Sequence, residues 1–273
     1  MGDAFGPGLV VVLLVAAAAV VGVLVWRHRQ RTRADLVRLA ERDGLTPTQT
    51  PLGLAAHDLA GRFVATPRGD RHYGLEYAVA GPLPVRLAGG ERTVDCAAFR
   101  WWSEQRRTNH DAQGRTNTSY ERQQESIAIV RLPAEVPDRL VVRPESLFGQ
   151  VGLTRGGQQL ESAEFNRRFR VEGGDRRLVV QLLDAGLQHE LLETFRGRSI
   201  EVTGRTLVLG GKASRREPGL TGFVGELPVL RDDARRLLRA VPAAFWRAIG
   251  LTEHPPRPEH PPRSDHPPRP GPA

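Results

Sequence analysis

The chain has 273 residues, with 39 basic and 31 acidic side chains and a formal net charge of +8. Its single cysteine, Cys96, excludes an intramolecular disulfide and a zinc site built on a cysteine cluster. Lys212 is the only lysine among the basic residues, a bias that GC-rich codons produce by themselves, and no nucleic-acid-binding motif accompanies the charge, so no nucleic-acid partner is predicted.

The first predicted element is a transmembrane helix over residues 5–26. Residues 9–26 are uncharged, and a helix of that length covers about 27 Å, close to the hydrocarbon thickness of a bilayer. By the positive-inside rule, the arginines that follow place the N-terminus outside and the rest of the chain in the cytoplasm. A single-pass protein of the cell membrane is predicted, with the lipid bilayer as a partner. The predicted anchoring residues are Leu9, Val15, Val20, Trp26, Arg27, Arg29, Arg31 and Arg33.

Two alternatives to the membrane anchor remain open. A cleaved signal peptide is one, because the small residues 16–19 resemble a processing site, although such signals carry positive charge before the apolar core and residues 1–8 hold only Asp3. A helix buried in the core of a soluble protein is the other, although such helices seldom run this long without a polar residue.

Residues 27–52 are predicted to form a basic juxtamembrane helix followed by a linker. Gly44 is a plausible end for the helix, and the prolines and threonines of residues 46–51 favour a linker, so that the folded domain begins at about Gly53. The apolar face of the helix is predicted to contain Leu36, Val37, Leu39 and Ala40.

Residues 53–250 are predicted to be a cytoplasmic α+β domain, with an antiparallel β-rich half before a helix and hairpin half. Two of the strands frame a long hairpin whose polar segment, residues 103–121, forms an exposed tip. Trp101 and Trp102 are adjacent and should face opposite sides of their strand. The predicted strands are 62–66, 72–80, 94–102, 125–132 and 140–143.

The second half begins after Gly149. Asp175 is predicted to cap a helix, a second helix follows Gly186, and residues 198–209 are predicted to form a hairpin that turns near Gly204. Residues 227–249 form a final basic amphipathic helix that Pro242 kinks or divides. Packing on the domain and contact with a membrane surface both explain its apolar stripe.

The stretches ESAEFNRRFRV, DRRLVVQLLDAGLQHELLETF and SIEVTGRTLVL resemble a family of uncharacterised single-pass membrane-anchored proteins of high-GC bacteria, a domain of unknown function. The resemblance covers about residues 60–250 and implies an N-terminal membrane segment before a cytoplasmic α+β domain. It brings no catalytic assignment. The matching residues are Phe165, Asn166, Phe169, Val171, Asp175, Leu182 and Leu183.

No pattern in the chain predicts a catalytic residue, a cofactor or a metal. The stretch 210–212 ends in Gly-Lys, but position 206, where a phosphate-binding loop requires glycine, is threonine. The histidines are not spaced as a pair of helical metal ligands. Cys96 lies in a strand-like run without a nearby histidine, which favours a buried structural residue over a nucleophile.

Residues 251–273 are predicted to be a disordered tail that contains three copies of a six-residue unit, at 253–258, 259–264 and 265–270. Its proline density favours polyproline II, a conformation that docks into aromatic-lined grooves of protein partners. A low-complexity extension without a docking role is the alternative. The candidate partner-binding residues are His254, Pro255, Pro256, Arg257, His260, Arg263, His266 and Arg269.

Three functions remain open, and the first is a membrane-anchored interaction or scaffold domain. The second is a domain that senses a ligand or anionic lipid at the inner membrane surface, which the basic helices favour. The third is an enzyme with an unrecognised site, which a deep pocket lined by titratable groups would favour.

Overall fold

A computed structural model describes residues 6–110, 114–145, 157–211 and 216–251, with side chains from Val11 onward except that of His110. It confirms an α+β fold with an N-terminal apolar helix and an antiparallel sheet. The helices are α1 (Gly6–Asp43), α2 (Ala56–Leu59), α3 (Ala163–Arg168), α4 (Arg176–Leu182), α5 (Ala185–Thr194), α6 (Leu227–Ala240) and α7 (Ala243–Ala248). Short 3-10 turns occupy Pro51–Gly53 and Gly222–Glu226. The strands are β1 (Thr46–Thr48), β2 (Tyr73–Leu87), β3 (Gly90–His110), β4 (Thr116–Pro144), β5 (Phe169–Gly173) and β6 (Ser199–Gly211).

Strand β4 is the centre of the sheet. The strands pair in the order β1-β2-β3-β4-β5, and β6 also pairs with β4, all antiparallel. The first part of β4 pairs with β3 alone, its middle part, residues 126–130, lies between β3 and β6, and its last part lies between β5 and β6. The predicted β-rich half and helical half therefore contribute strands to one sheet, because β5 and β6 both pair with β4.

Both faces of the sheet are covered. The larger core lies on the face that packs against α3 to α7 and the end of α1. The smaller core surrounds the fully buried Phe99 and Trp101 and is covered by Leu59 and Phe63. Trp102, by contrast, stays partly exposed, which confirms that the two adjacent tryptophans face opposite sides.

Strands β3 and β4 extend beyond the rest of the sheet as a two-stranded ribbon, which we call the β3–β4 arm. Its pairs run from Glu104↔Arg122 to His110↔Thr116. The prediction of an exposed polar tip is correct for residues 106–109 and 114–121 and wrong for the buried Ser103. The strands also continue to His110 and resume at Thr116. The arm contains the strand-favouring residues Thr108, Thr116, Thr118 and Tyr120, and cross-strand pairing needs no apolar core.

The predicted hairpin at residues 198–209 is wrong, because β6 is one continuous strand. Gly204, with φ +53°, lies opposite Val136, where the register of β4 against β6 shifts. The strand is irregular at this glycine but does not reverse. Strand β4 is long enough to pair with β6 on both sides of the irregularity, so the two apolar runs of β6 follow one partner instead of facing each other.

Two further predictions near the start of the domain are wrong. Residues 62–66 form a turn instead of a strand, because the buried Thr66 hydroxyl donates to the Leu59 carbonyl at 2.5 Å and accepts from the Phe63 backbone at 3.2 Å. The predicted linker contains β1, which pairs with Ala78 to Ala80 of β2. Pro47 is tolerated because β1 is an edge strand.

The predicted helices of the second half are confirmed. Asp175 caps α4 by accepting from the Arg177 backbone at 3.2 Å, and Pro242 separates α6 from α7. The apolar stripe of α6 and α7 is buried in the larger core, including Leu237, Phe245 and Trp246. Packing on the domain therefore accounts for this stripe.

Candidate functional site

The first part of α1 is an apolar surface that nothing in the described residues covers. Val11–Asp43 is the one helix among those residues that is long and apolar enough to cross a membrane. Val15, Val20 and Trp26 are 65%, 58% and 61% exposed. Leu9 lies in the same helix, and the four predicted anchoring arginines, Arg27, Arg29, Arg31 and Arg33, are exposed just beyond the apolar stretch.

The last part of the same helix is docked on the domain. Thr32, Asp35, Leu39 and Ala40 are all buried, at the spacing that one helix face requires. The prediction of this face is right for Leu36, Leu39 and Ala40 and wrong for Val37, which is 48% exposed. Val37 lies about 160° from Leu39 around the helix axis and so points away from the domain.

A buried carboxylate clamps α1 to the segment before the second 3-10 turn. Asp35, only 2% exposed, accepts hydrogen bonds from the Thr221 backbone at 2.9 Å and the Thr221 hydroxyl at 2.5 Å, and also pairs with Arg38. The hydroxyl hydrogen bond holds the pKa of Asp35 below its ordinary value despite burial, which acts in the opposite direction. Two turns further on, Arg42 pairs with Glu217.

Behind this clamp, charged side chains connect the segment to the sheet. Glu226 accepts from Arg216 Nε at 2.8 Å and from the Ser126 hydroxyl of β4 at 2.7 Å. Arg198, immediately before β6, forms a buried ion pair with Asp233 of α6. Burial lowers the pKa of Arg198, which Asp233 counteracts. The apolar helix is thus attached to the sheet through polar contacts as well as through the core.

The sequence did not predict Asp35, Thr221 or Glu226 as site residues. Asp35 and Thr221 are 186 positions apart, so only the folded chain brings them together. One local signal was present, because Asp35 is the only acidic residue between Arg27 and Ala40 and lies one turn before Leu39 on the apolar face. A carboxylate at such a position needs a partner once it is buried.

The described residues hold no cluster of three or more potential metal ligands. Cys96 is buried as predicted, and burial raises the pKa of its thiol to about 12, which makes it a poor nucleophile. Among the surface grooves of the described residues, one of about 940 Å³ lies beside α4 and α5, and another of about 840 Å³ lies beside the turn between β2 and β3.

The candidate partner-binding residues of the tail, His254 to Arg269, lie outside the described residues, as does Lys212. Their role in docking stays a prediction.

Replacing Asp35 with alanine is expected to lower the free energy of unfolding by about 2–3 kcal/mol, because the Thr221 N–H and hydroxyl lose a charged acceptor in a buried position. Urea unfolding of the full chain in detergent micelles, followed by tryptophan fluorescence, measures this change. Glu41→Ala, at an exposed position of the same helix, is the control and should change stability by less than about 0.5 kcal/mol.

The contribution of Asp35 should also depend on pH. A carboxyl whose pKa is lowered by folding stabilises the folded state fully above its unfolded-state pKa, 3.8 for Asp35, and loses this effect as the pH falls through the folded-state value. The difference in stability between the wild type and Asp35→Ala should therefore shrink on acidification below about pH 4. A difference that stays constant down to low pH would contradict the assigned ionisation.

Comparison of the chain with protein-family models, with curated proteins and with solved structures gives no match. The resemblance to a membrane-anchored family stays a prediction. Its matched residues have structural roles in this fold: Phe165 and Phe169 stack in the core with centroids 5.1 Å apart, and Asn166 exchanges hydrogen bonds with the Leu160 backbone. Val171, Leu182 and Leu183 are buried.

Proposed function

We propose that the chain is a single-pass membrane protein whose cytoplasmic α+β domain is an interaction module fixed to its anchor. The observation that carries this proposal is the division of α1 into an exposed apolar part, residues 11–26, and a buried part that Asp35 clamps to the domain. An uncovered apolar helix of this size is unfavourable in water and favourable in a bilayer.

The proposed orientation places the N-terminus outside, because the arginines at positions 27–33 follow the apolar stretch. Asp3→Cys and Ser264→Cys variants test it with a membrane-impermeant maleimide on intact and permeabilised bacterial cells. Background labelling stays low because Cys96 is buried. Labelling of Asp3→Cys in intact cells, and of Ser264→Cys only after permeabilisation, is expected. The reverse pattern contradicts the topology, and loss of the N-terminal segment from the mature chain indicates a cleaved signal.

The interaction role rests on the fixed domain and on the repeated tail. Three copies of one docking unit increase the affinity for a partner with several sites, because the second and third contacts become intramolecular. Crosslinked affinity purification from the native membrane should compare the full chain with a chain that ends at Thr252. Loss of a captured protein with the tail assigns docking to the repeats, whereas capture by both chains assigns it to the folded domain. No capture above background by either chain contradicts the proposal.

The sensing of anionic lipid is the second candidate. Its remaining support is the exposed arginine cluster of α1, since the apolar stripe of α6 is buried in the core. Salt-sensitive binding of the chain to anionic but not neutral liposomes distinguishes this function from the first.

A further inference from the structure

The groove at the turn between β2 and β3 carries an unusual concentration of positive charge. This turn lies at the end of the two strands opposite the β3–β4 arm. Glu91 is the one acidic residue among the described residues that line the groove. Its four basic residues, which define the arginine groove, come from β2, β3 and α6: Arg86, Arg92, Arg235 and Arg239.

Two of these side chains are held in place by backbone carbonyls. Arg235 Nε donates to the Pro84 carbonyl at 3.2 Å, and its Nη1 donates to Asp232 at 2.6 Å. Arg86 Nε donates to the Gly89 carbonyl at 3.2 Å. A guanidinium that is already oriented loses less conformational entropy when it binds a ligand, so these contacts favour binding.

The turn beside the groove has a constrained backbone. Ala88 adopts φ +48° and Gly89 φ +83°, which is the pattern of a type I′ turn, and Ala88 is buried. Alanine seldom adopts a left-handed conformation, and here the type I′ turn requires it. This turn also supplies the carbonyl that holds Arg86.

Asp232 pairs with Arg235 and Glu91 also lines the groove, so four guanidinium groups against these two carboxylates leave net positive charge that attracts an anion. The planar fork of arginine matches phosphate oxygens in paired hydrogen bonds. We propose that the arginine groove binds the phosphate group of an anionic ligand. This site is independent of the membrane anchor and of the tail.

Two sources supply such a group: a free phosphorylated compound and the headgroup of a phospholipid. Inorganic pyrophosphate represents the first source, and nanodiscs of phosphatidylglycerol, compared with nanodiscs of phosphatidylcholine, represent the second. The same variants are measured with both probes, so the chemistry of the site and the source of the phosphate are determined separately.

Isothermal titration calorimetry of the full chain in uncharged detergent micelles measures pyrophosphate binding. The test variant is Arg86→Gln/Arg239→Gln, since both side chains are exposed and contribute little to the core. The control is Arg167→Gln/Arg177→Gln, which removes the same charge from exposed positions of α3 and α4. We expect saturable binding that weakens by at least about tenfold per arginine in the test variant and by less than about threefold in the control.

Binding to phosphatidylglycerol nanodiscs alone, lost in the test variant and kept in the control, also supports the site and identifies a lipid headgroup as its source. Equal weakening in both variants overturns the proposal, because it shows a general effect of net charge. Absence of binding to either probe overturns it as well. The urea unfolding midpoint of each variant is measured to show that it is folded. If Arg86→Gln/Arg239→Gln does not fold, the single variant Arg239→Gln replaces it.

Discussion

Replacing Asp233 with alanine is expected to lower the free energy of unfolding by about 3–5 kcal/mol. Asp233 is the buried ion-pair partner of Arg198, whose side chain is only 3% exposed. Without it, a guanidinium that burial already disfavours loses its nearest counterion. Urea unfolding of the full chain in detergent micelles, followed by the fluorescence of the buried Trp101 and Trp246, measures the change.

Two control variants separate the ion pair from other effects of the substitution. Asp232→Ala removes a neighbouring acidic residue whose side chain is 58% exposed and should cost less than about 1 kcal/mol. Arg198→Met/Asp233→Leu removes both charges and should recover most of the lost stability, because an apolar pair of similar volume replaces a buried ion pair well. If the double variant is no more stable than Asp233→Ala, the unpaired charge is not the cause.

The second large effect is expected for Val15→Arg/Val20→Arg, which should prevent stable membrane insertion. Each arginine near the middle of a membrane-spanning helix costs about 2.5–3.5 kcal/mol on insertion scales. Both valines are exposed in the folded chain, so the substitutions remove no contact of the core. Fractionation of cells followed by alkaline extraction measures the share of the chain that stays in the membrane.

The matched control for this variant is Val15→Leu/Val20→Leu, which keeps the helix apolar and should remain in the membrane fraction. Retention of the arginine variant after alkaline extraction would contradict the assignment of α1 as the anchor. It would show that another part of the chain, or another protein, attaches the domain to the membrane.

Features that depend on neighbouring residues were predictable from the sequence. The apolar stretch of α1, the capping of α4 by Asp175 and the break at Pro242 each follow from local composition and backbone geometry. Strand partners were not predictable in this way. The two apolar runs of β6 fit a hairpin as well as a single strand, and only the length of β4 decides between them.

The clamp on α1 illustrates the same limit at the candidate site. A lone carboxylate on an apolar helix face indicates that a partner exists, but not that the partner is Thr221. The arginine groove was not predictable from the sequence either, because β2, β3 and α6 bring together four residues that the chain distributes over more than 150 positions. The predicted codon bias would account for the abundance of arginine in the chain but not for its concentration at one groove.

Because α1 is one continuous helix, a tilt of its apolar part also tilts the domain that is attached to its last part. No break separates its apolar part from the part that Asp35 and Leu39 fix to the domain. Spanning helices change their tilt with bilayer thickness, and a change of about 20° moves a point about 30 Å from the membrane by about 10 Å. In the proposed single-pass topology, bilayers of different thickness would therefore present the domain at different angles to the membrane plane, without any rearrangement inside the domain.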